Sequence, residues 1–107
     1  MLTFASDLEN NKFNPLNNNT MSNQEVINRF QSGKTAKSSN GNLWVSADRT
    51  RLFNYYTCVA QRCEDGSFIV NGTRYSNSTS RIQYMLRNTL RNYTEVTNVR
   101  IGTSHLA

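Results

Sequence analysis

Residues 55–90 read YYTCVAQRCEDGSFIVNGTRYSNSTSRIQYMLRNTL, and this run constrains the fold more than any other part of the chain. A β-prone segment meets an acidic turn, Glu64-Asp65-Gly66, where glycine supplies the positive φ that such a turn needs. Residues 67–70 return as the partner strand. The hydrophobic spacing then becomes helical: Ile82, Met85, Leu86, Leu90 and Tyr93 share one face at about 100° per residue. Arg87 and Arg91 fall on the opposite face, with Tyr84 beside them and Arg81 at its edge, while Asn77, Ser78 and Thr79 offer the helix an N-cap. A hairpin leading straight into an amphipathic, arginine-bearing helix is the expected centre of the fold.

The flanks add to this frame. Residues 1–20 carry Asn10, Asn11, Asn14, Asn17, Asn18 and Asn19 with the only proline, Pro15, a composition that favours solvated turns over packed elements. They are expected to form a flexible or loosely docked arm. Ser22-Asn23-Gln24-Glu25 then has the form of a capping box, and Val26, Ile27 and Phe30 follow on one face before Gly33, which predicts a helix over residues 23–32. The polar run to Asn42 contains the tight-turn pair Asn40-Gly41. Leu43-Trp44-Val45 has strand composition, residues 48–50 suggest a turn, and residues 52–62 read as one long strand. Asn71-Gly72 signals a further turn, residues 73–76 a short strand or extended link, and residues 96–101 (VTNVRI) a terminal strand. The order predicts a single α+β domain over residues 21–102, a small antiparallel β-sheet of about three to five strands with two amphipathic helices packed on it. Residues 103–107 are a C-terminal tail.

Charge narrows the class of function. The 107-residue chain has a net charge of +5, and nine of its twelve basic residues are arginine. Residues 1–30 hold Asp7, Glu9 and Glu25 against Lys12 and Arg29, so the positive excess lies wholly in residues 31–107. A basic, arginine-rich surface suits nucleic acid or an acidic protein. Catalysis has little to work with: the only histidine, His105, is near the chain end, and the acids beyond residue 30 are Asp48, Glu64, Asp65 and Glu95, two of them in a hairpin turn. No glycine-rich phosphate loop is present and C-x4-C has no second pair, so the expectation is a non-enzyme with no cofactor and no metal. Cys58 and Cys63 sit at opposite ends of one predicted strand, too far apart to bridge, and read as reduced thiols. No apolar run approaches a membrane span and the first residues lack a signal-peptide pattern, so the expected location is the cytoplasm.

Binding remains. Arg74, Arg81, Arg87 and Arg91 are interleaved with Tyr75 and Tyr84, and Lys34 and Lys37 precede Trp44. Arginine for phosphate, with rings that stack on unpaired bases, suits single-stranded or structured nucleic acid. Arg74, Arg81, Tyr84, Arg87, Arg91, Lys34 and Lys37 are therefore the candidate contacts. No zinc finger, helix-turn-helix or RRM signature supports reading of duplex sequence. Asn42-Leu43, Leu52, Tyr56-Thr57, Ala60-x-Arg62, Tyr75-Ser76, the run Ser78-Thr79-Ser80-Arg81-x-Gln83 and Leu86-Arg87 together resemble a small domain of uncharacterised function found in bacteriophages and mobile elements of Gram-positive bacteria. The resemblance covers residues 38–90. It implies phage origin and a bacterial host cytoplasm. By analogy with small, basic phage proteins it implies an anti-CRISPR-like inhibitor of a defence ribonucleoprotein, acting on a type II effector nuclease or its guide RNA. The alternative is a phage accessory protein that binds nucleic acid for regulation or genome handling.

Overall fold

The computed structural model describes residues 21–107; the expected arm over residues 1–20 lies outside the described residues. Helix α1 spans Asn23–Gln31, strands follow at β1 (Leu43–Val45), β2 (Arg51–Asn54), β3 (Thr57–Arg62) and β4 (Phe68–Asn71), then come helix α2 (Asn77–Thr89) and strand β5 (Tyr93–Val96). The strands lie side by side in sequence order. The first four pair antiparallel, as the α+β reading expects, but β5 runs parallel to β4 because α2 carries the chain back across the sheet before the last strand begins.

Local chemistry explains both helices. Ser22 Oγ accepts from the Glu25 N–H at 3.1 Å, the serine half of the capping box, and Gly33 follows the α1 C-cap at φ 79°. The end of α1 is closed from the sheet: Arg62 Nη2 donates to the carbonyls of Phe30 and Gln31, while its guanidinium lies over the rings of Phe30 and Phe68. A cation at a helix C-terminus satisfies free carbonyls and complements the dipole, so this arginine is structural. Helix α2 is capped by Ser76, one residue before the predicted candidates, with its Oγ accepting from the Thr79 N–H.

Val26, Ile27 and Phe30 of α1 and Ile82, Leu86 and Leu90 of the α2 segment pack on Leu43, Val45, Leu52, Val59, Ala60, Phe68 and Val70. Because side chains alternate along a strand, Trp44, Arg51 and Phe53 point to the other face. There Trp44 stacks on Phe53 with ring centroids 4.4 Å apart, and Arg51 lies over the same ring. The C-terminal segment runs along this side. Leu52 pairs with Ala60 and Phe53 with Cys58, which leaves Val59 as a bulge residue. The Cys58 N–H donates to Thr103 O, Arg51 Nη1 to Ser104 O and to His105 Nε2, and the Leu106 N–H to Gln61 Oε1. Residues 103–106, expected as a tail, are thus tied to β2 and β3.

Four expectations need correction. Residues 52–62 are two strands joined by a two-residue turn at Tyr55-Tyr56. Asn71-Gly72 is a strand end: Asn71 is fully buried, and the Gly72 N–H donates to Val96 O. The last strand is Tyr93–Val96, ahead of the predicted 96–101, since α2 stops at Thr89 and Asn92 turns the chain at φ 53°. For the same reason Arg91 and Tyr93 are not on α2, so the predicted basic stripe of the helix is cut short.

Candidate nucleic-acid interface

The stretch that reads Y-S-x-S-T-S-R-x-Q proves to be mostly a latch between β4 and α2. Tyr75 OH donates to Val99 O at 2.6 Å and accepts from Asn71 Nδ2. Asn71 Nδ2 also donates to Cys58 O, and its Oδ1 accepts from the Thr73 N–H. Gln83, buried on α2, spreads its Nε2 between Asn71 O at 2.7 Å and Thr73 O at 2.8 Å. Thr79, also buried, accepts from Asn54 Nδ2 at 2.8 Å. Buried polar groups joined in this way fix one geometry, and each lost partner is costly. Among the larger side chains of the run, Arg81 is the one that reaches solvent freely.

The predicted contacts do not form one face. Arg87 is joined by hydrogen bond and ion pair to Glu95 of β5. The carboxylate raises the Arg87 pKa, mainly through that hydrogen bond, and neutralises its charge locally. Arg91 stands exposed in the turn after α2, Arg74 in the link before it, and Lys34 just beyond α1. Arg81 and Tyr84 do lie together, flanking a shallow groove with Met85, Asn77 and Ser80. Lys37 lies beside Trp44, to which it is bridged at the outer edge of β1.

Arg81 and Lys37 are connected through a feature the sequence reading missed. The Tyr55-Tyr56 turn projects both rings outward, Tyr55 53% and Tyr56 82% exposed, with Ile101 72% exposed nearby. Three concavities meet at Tyr55. One, of about 300 Å³, is shared with Arg81, Asn54 and Asn42. A second, of about 520 Å³, holds Lys37, Trp44 and Tyr56. A third, of about 400 Å³, lies between the two tyrosines, Tyr75 and Ile101. Among the described residues neither Arg81 nor Lys37 has an acidic partner.

Tyr55 adopts φ 57°, the left-handed region that bulky side chains avoid. The turn is held there from outside: the Tyr55 N–H donates to Asn42 O at 2.7 Å, and Trp44 Nε1 donates to Tyr55 O at 2.9 Å. In the sequence this turn is hidden, because the adjacent tyrosines have a strand preference and no glycine or proline stands beside them.

Other chemistry is sparse. Among the described residues no group of three or more His, Cys, Asp or Glu side chains converges to hold a metal, and no helix is long and apolar enough to cross a membrane. Cys58 and Cys63 are both free thiols. Burial pushes the Cys58 thiol up to about 11, the opposite of what a nucleophile requires. Comparison with protein-family models, with curated proteins and with solved structures finds no match for this chain.

Proposed function

We propose that this protein acts by binding rather than catalysis, and that its ligand is single-stranded nucleic acid taken on the Tyr55-Tyr56 tip. One observation carries this reading: two adjacent exposed tyrosines, one held in a strained backbone conformation, stand between the cations Arg81 and Lys37. Exposed rings offer stacking surfaces to unpaired bases, and flanking cations meet the phosphates. Strain kept at an exposed tip is characteristic of functional sites. Compared with the sequence expectation, the centre of the surface moves from the outer face of α2 to the hairpin tip, with Arg81 and Tyr84 at its margin.

Fluorescence anisotropy with labelled single-stranded RNA, single-stranded DNA and duplex of equal length tests this. Single strands bind more tightly than duplex, affinity falls steeply between about 50 and 200 mM salt, and a Tyr55→Ala/Tyr56→Ala double variant abolishes the preference. Equal affinity for duplex, or indifference to the double variant, overturns it.

The biological setting we propose is inhibition of a bacterial defence ribonucleoprotein of the type II CRISPR kind, by engaging its guide RNA or the channel that holds it. The support is the phage-domain resemblance together with the basic charge of the chain. In a reconstituted DNA-cleavage assay the protein slows cleavage and the double-tyrosine variant does not. Unimpaired cleavage alongside intact nucleic-acid binding favours the accessory nucleic-acid-binding role instead.

A further inference from the structure

We infer that the cleft between the Tyr55-Tyr56 tip and Ile101 is a subsite for one unstacked nucleobase, and that Asn54 there accepts from an exocyclic amine, favouring adenine or cytosine over uracil. The inference rests on the nucleic-acid reading above and deepens it.

Size and walls come first. A concavity of about 400 Å³ falls at the small end of the range for small-ligand sites, about 300–1,000 Å³. Tyr55, Tyr56, Tyr75, Val59 and Ile101 line it, giving mostly ring and aliphatic surface. Tyr56 and Ile101 are almost unpacked by the protein itself, so a planar ligand can be covered by both without breaking a contact of the fold.

Polar specificity comes from what is left unsatisfied. Asn54 lines the cleft and is only 4% exposed. Its Nδ2 is committed to Thr79 Oγ1 at 2.8 Å, and among the described residues nothing donates to its Oδ1. A buried amide oxygen without a donor is unusual and points to a missing partner. Neighbouring polar groups are engaged with one another. Tyr75 OH donates to Val99 O, Thr57 Oγ1 accepts from the Gly102 N–H, and Ser76 Oγ accepts from the Thr79 N–H. The cleft thus calls for a hydrogen-bond donor on a flat, largely apolar body.

Charge completes the description. The clefts that share Tyr55 with this one contain Arg81 on one side and Lys37 on the other. A flat donor-bearing ring attached to an anionic backbone is a nucleotide with an exocyclic amine. Adenine N6 and cytosine N4 present that amine, while uracil flanks its one ring N–H with two carbonyls. Those carbonyls would lie against the Asn54 carbonyl while the amide's own N–H groups are turned to Thr79.

The test is fluorescence anisotropy with labelled eight-nucleotide oligo(A), oligo(C) and oligo(U), and with oligo(A) carrying abasic positions. The A and C oligomers bind about threefold to tenfold more tightly than U, the fold-change of one hydrogen bond, and abasic substitution weakens binding. Asn54→Leu brings the A-to-U ratio toward one. Because Asn54 is buried, Ile101→Ala serves as the second variant; it lies on the surface, leaves folding intact and lowers the same ratio. Equal affinity for A, C and U in the wild-type protein, with all three weakened by the double-tyrosine variant, overturns the subsite and leaves the nucleic-acid reading standing. Absence of binding to every oligomer overturns both.

Discussion

Tyr55 allows a test in which the usual order of two substitutions reverses. At most strand positions glycine is less stable than alanine by about 0.5–1 kcal/mol, because it loses more backbone freedom on folding. Tyr55, however, sits at φ 57°, where a Cβ costs about 1–2 kcal/mol. Tyr55→Gly and Tyr55→Ala remove the same ring, so the loss of its packing cancels between them. Both keep the backbone bonds to Asn42 O and from Trp44 Nε1. The difference isolates the strain. Subtracting the glycine entropy from the left-handed penalty leaves the glycine variant ahead by about 0.5–1 kcal/mol, or about 2–8 °C in Tm for a domain of this size. Thermal unfolding of the two variants side by side measures it. An alanine variant as stable as the glycine variant, or more so, refutes the claim that the tip is strained. If the tyrosine is retained for its ring, both variants bind nucleic acid equally poorly while differing in stability.

Single contacts carry other measurable consequences. Gln83→Leu leaves the carbonyls of Asn71 and Thr73 without their buried donor and is expected to cost about 2–4 kcal/mol, seen as a large fall in the denaturant midpoint, whereas the exposed Arg81→Glu leaves that midpoint unchanged and weakens binding. Glu95→Gln releases Arg87 from its ion pair; stability changes by less than about 1 kcal/mol, while affinity for single strands rises only slightly, through the one-unit gain in net charge, because Arg87 does not line the concavities at the tip. The Asp48 carboxyl is held at about 2, first by the Ser46 hydroxyl and then by the Thr50 N–H and hydroxyl, and Asp65 is lowered by Ser67. Both aspartates therefore favour the folded state above about pH 4 and lose that contribution as pH falls toward 2, so Tm is flat near neutrality, drops across this acid window, and drops less in Asp48→Asn. A thiol reagent reacts with half-buried Cys63 in the native protein and reaches buried Cys58 only after unfolding.

Elements whose cause is local were legible in the sequence. Ser22 caps α1, Gly33 and Gly66 take the positive φ expected of them, and Ile82, Leu86 and Leu90 face the core. What was hidden depends on partners far along the chain. The Tyr55-Tyr56 turn is closed by Asn42 and Trp44, and nothing in the pair itself announces a turn. Asn71-Gly72 carries a strong turn signal, yet the Asn71 side chain crosses to Cys58 O and Tyr75 OH and the backbone stays in the sheet. The same holds for the candidate site. Arginine and tyrosine were legible as residue types, and Arg81, Lys37 and Tyr84 lie at or beside the tip, but Arg87 is claimed by Glu95, a partner eight residues away across the end of α2. Periodicity along one helix cannot see an ion pair with the next strand.

The latch and the tip are one device. Ser76 caps α2 through the Thr79 N–H, and Thr79 in turn takes the side chain of Asn54, the residue immediately before the Tyr55-Tyr56 turn. The start of the helix therefore sets the position of the strand end from which the tip projects. Tyr75 does the same on the other side, holding Val99 and, two residues further, Ile101 at the cleft mouth. Residues of the run that carries the phage-domain resemblance thus act from behind the surface, by fixing where Tyr55, Tyr56 and Ile101 stand. Substitutions in the latch should change binding through stability and geometry together, whereas substitutions of the exposed Tyr56 and Ile101, which carry no backbone strain, should change binding alone; the separation of those two behaviours is what distinguishes a scaffold residue from a contact residue in this fold.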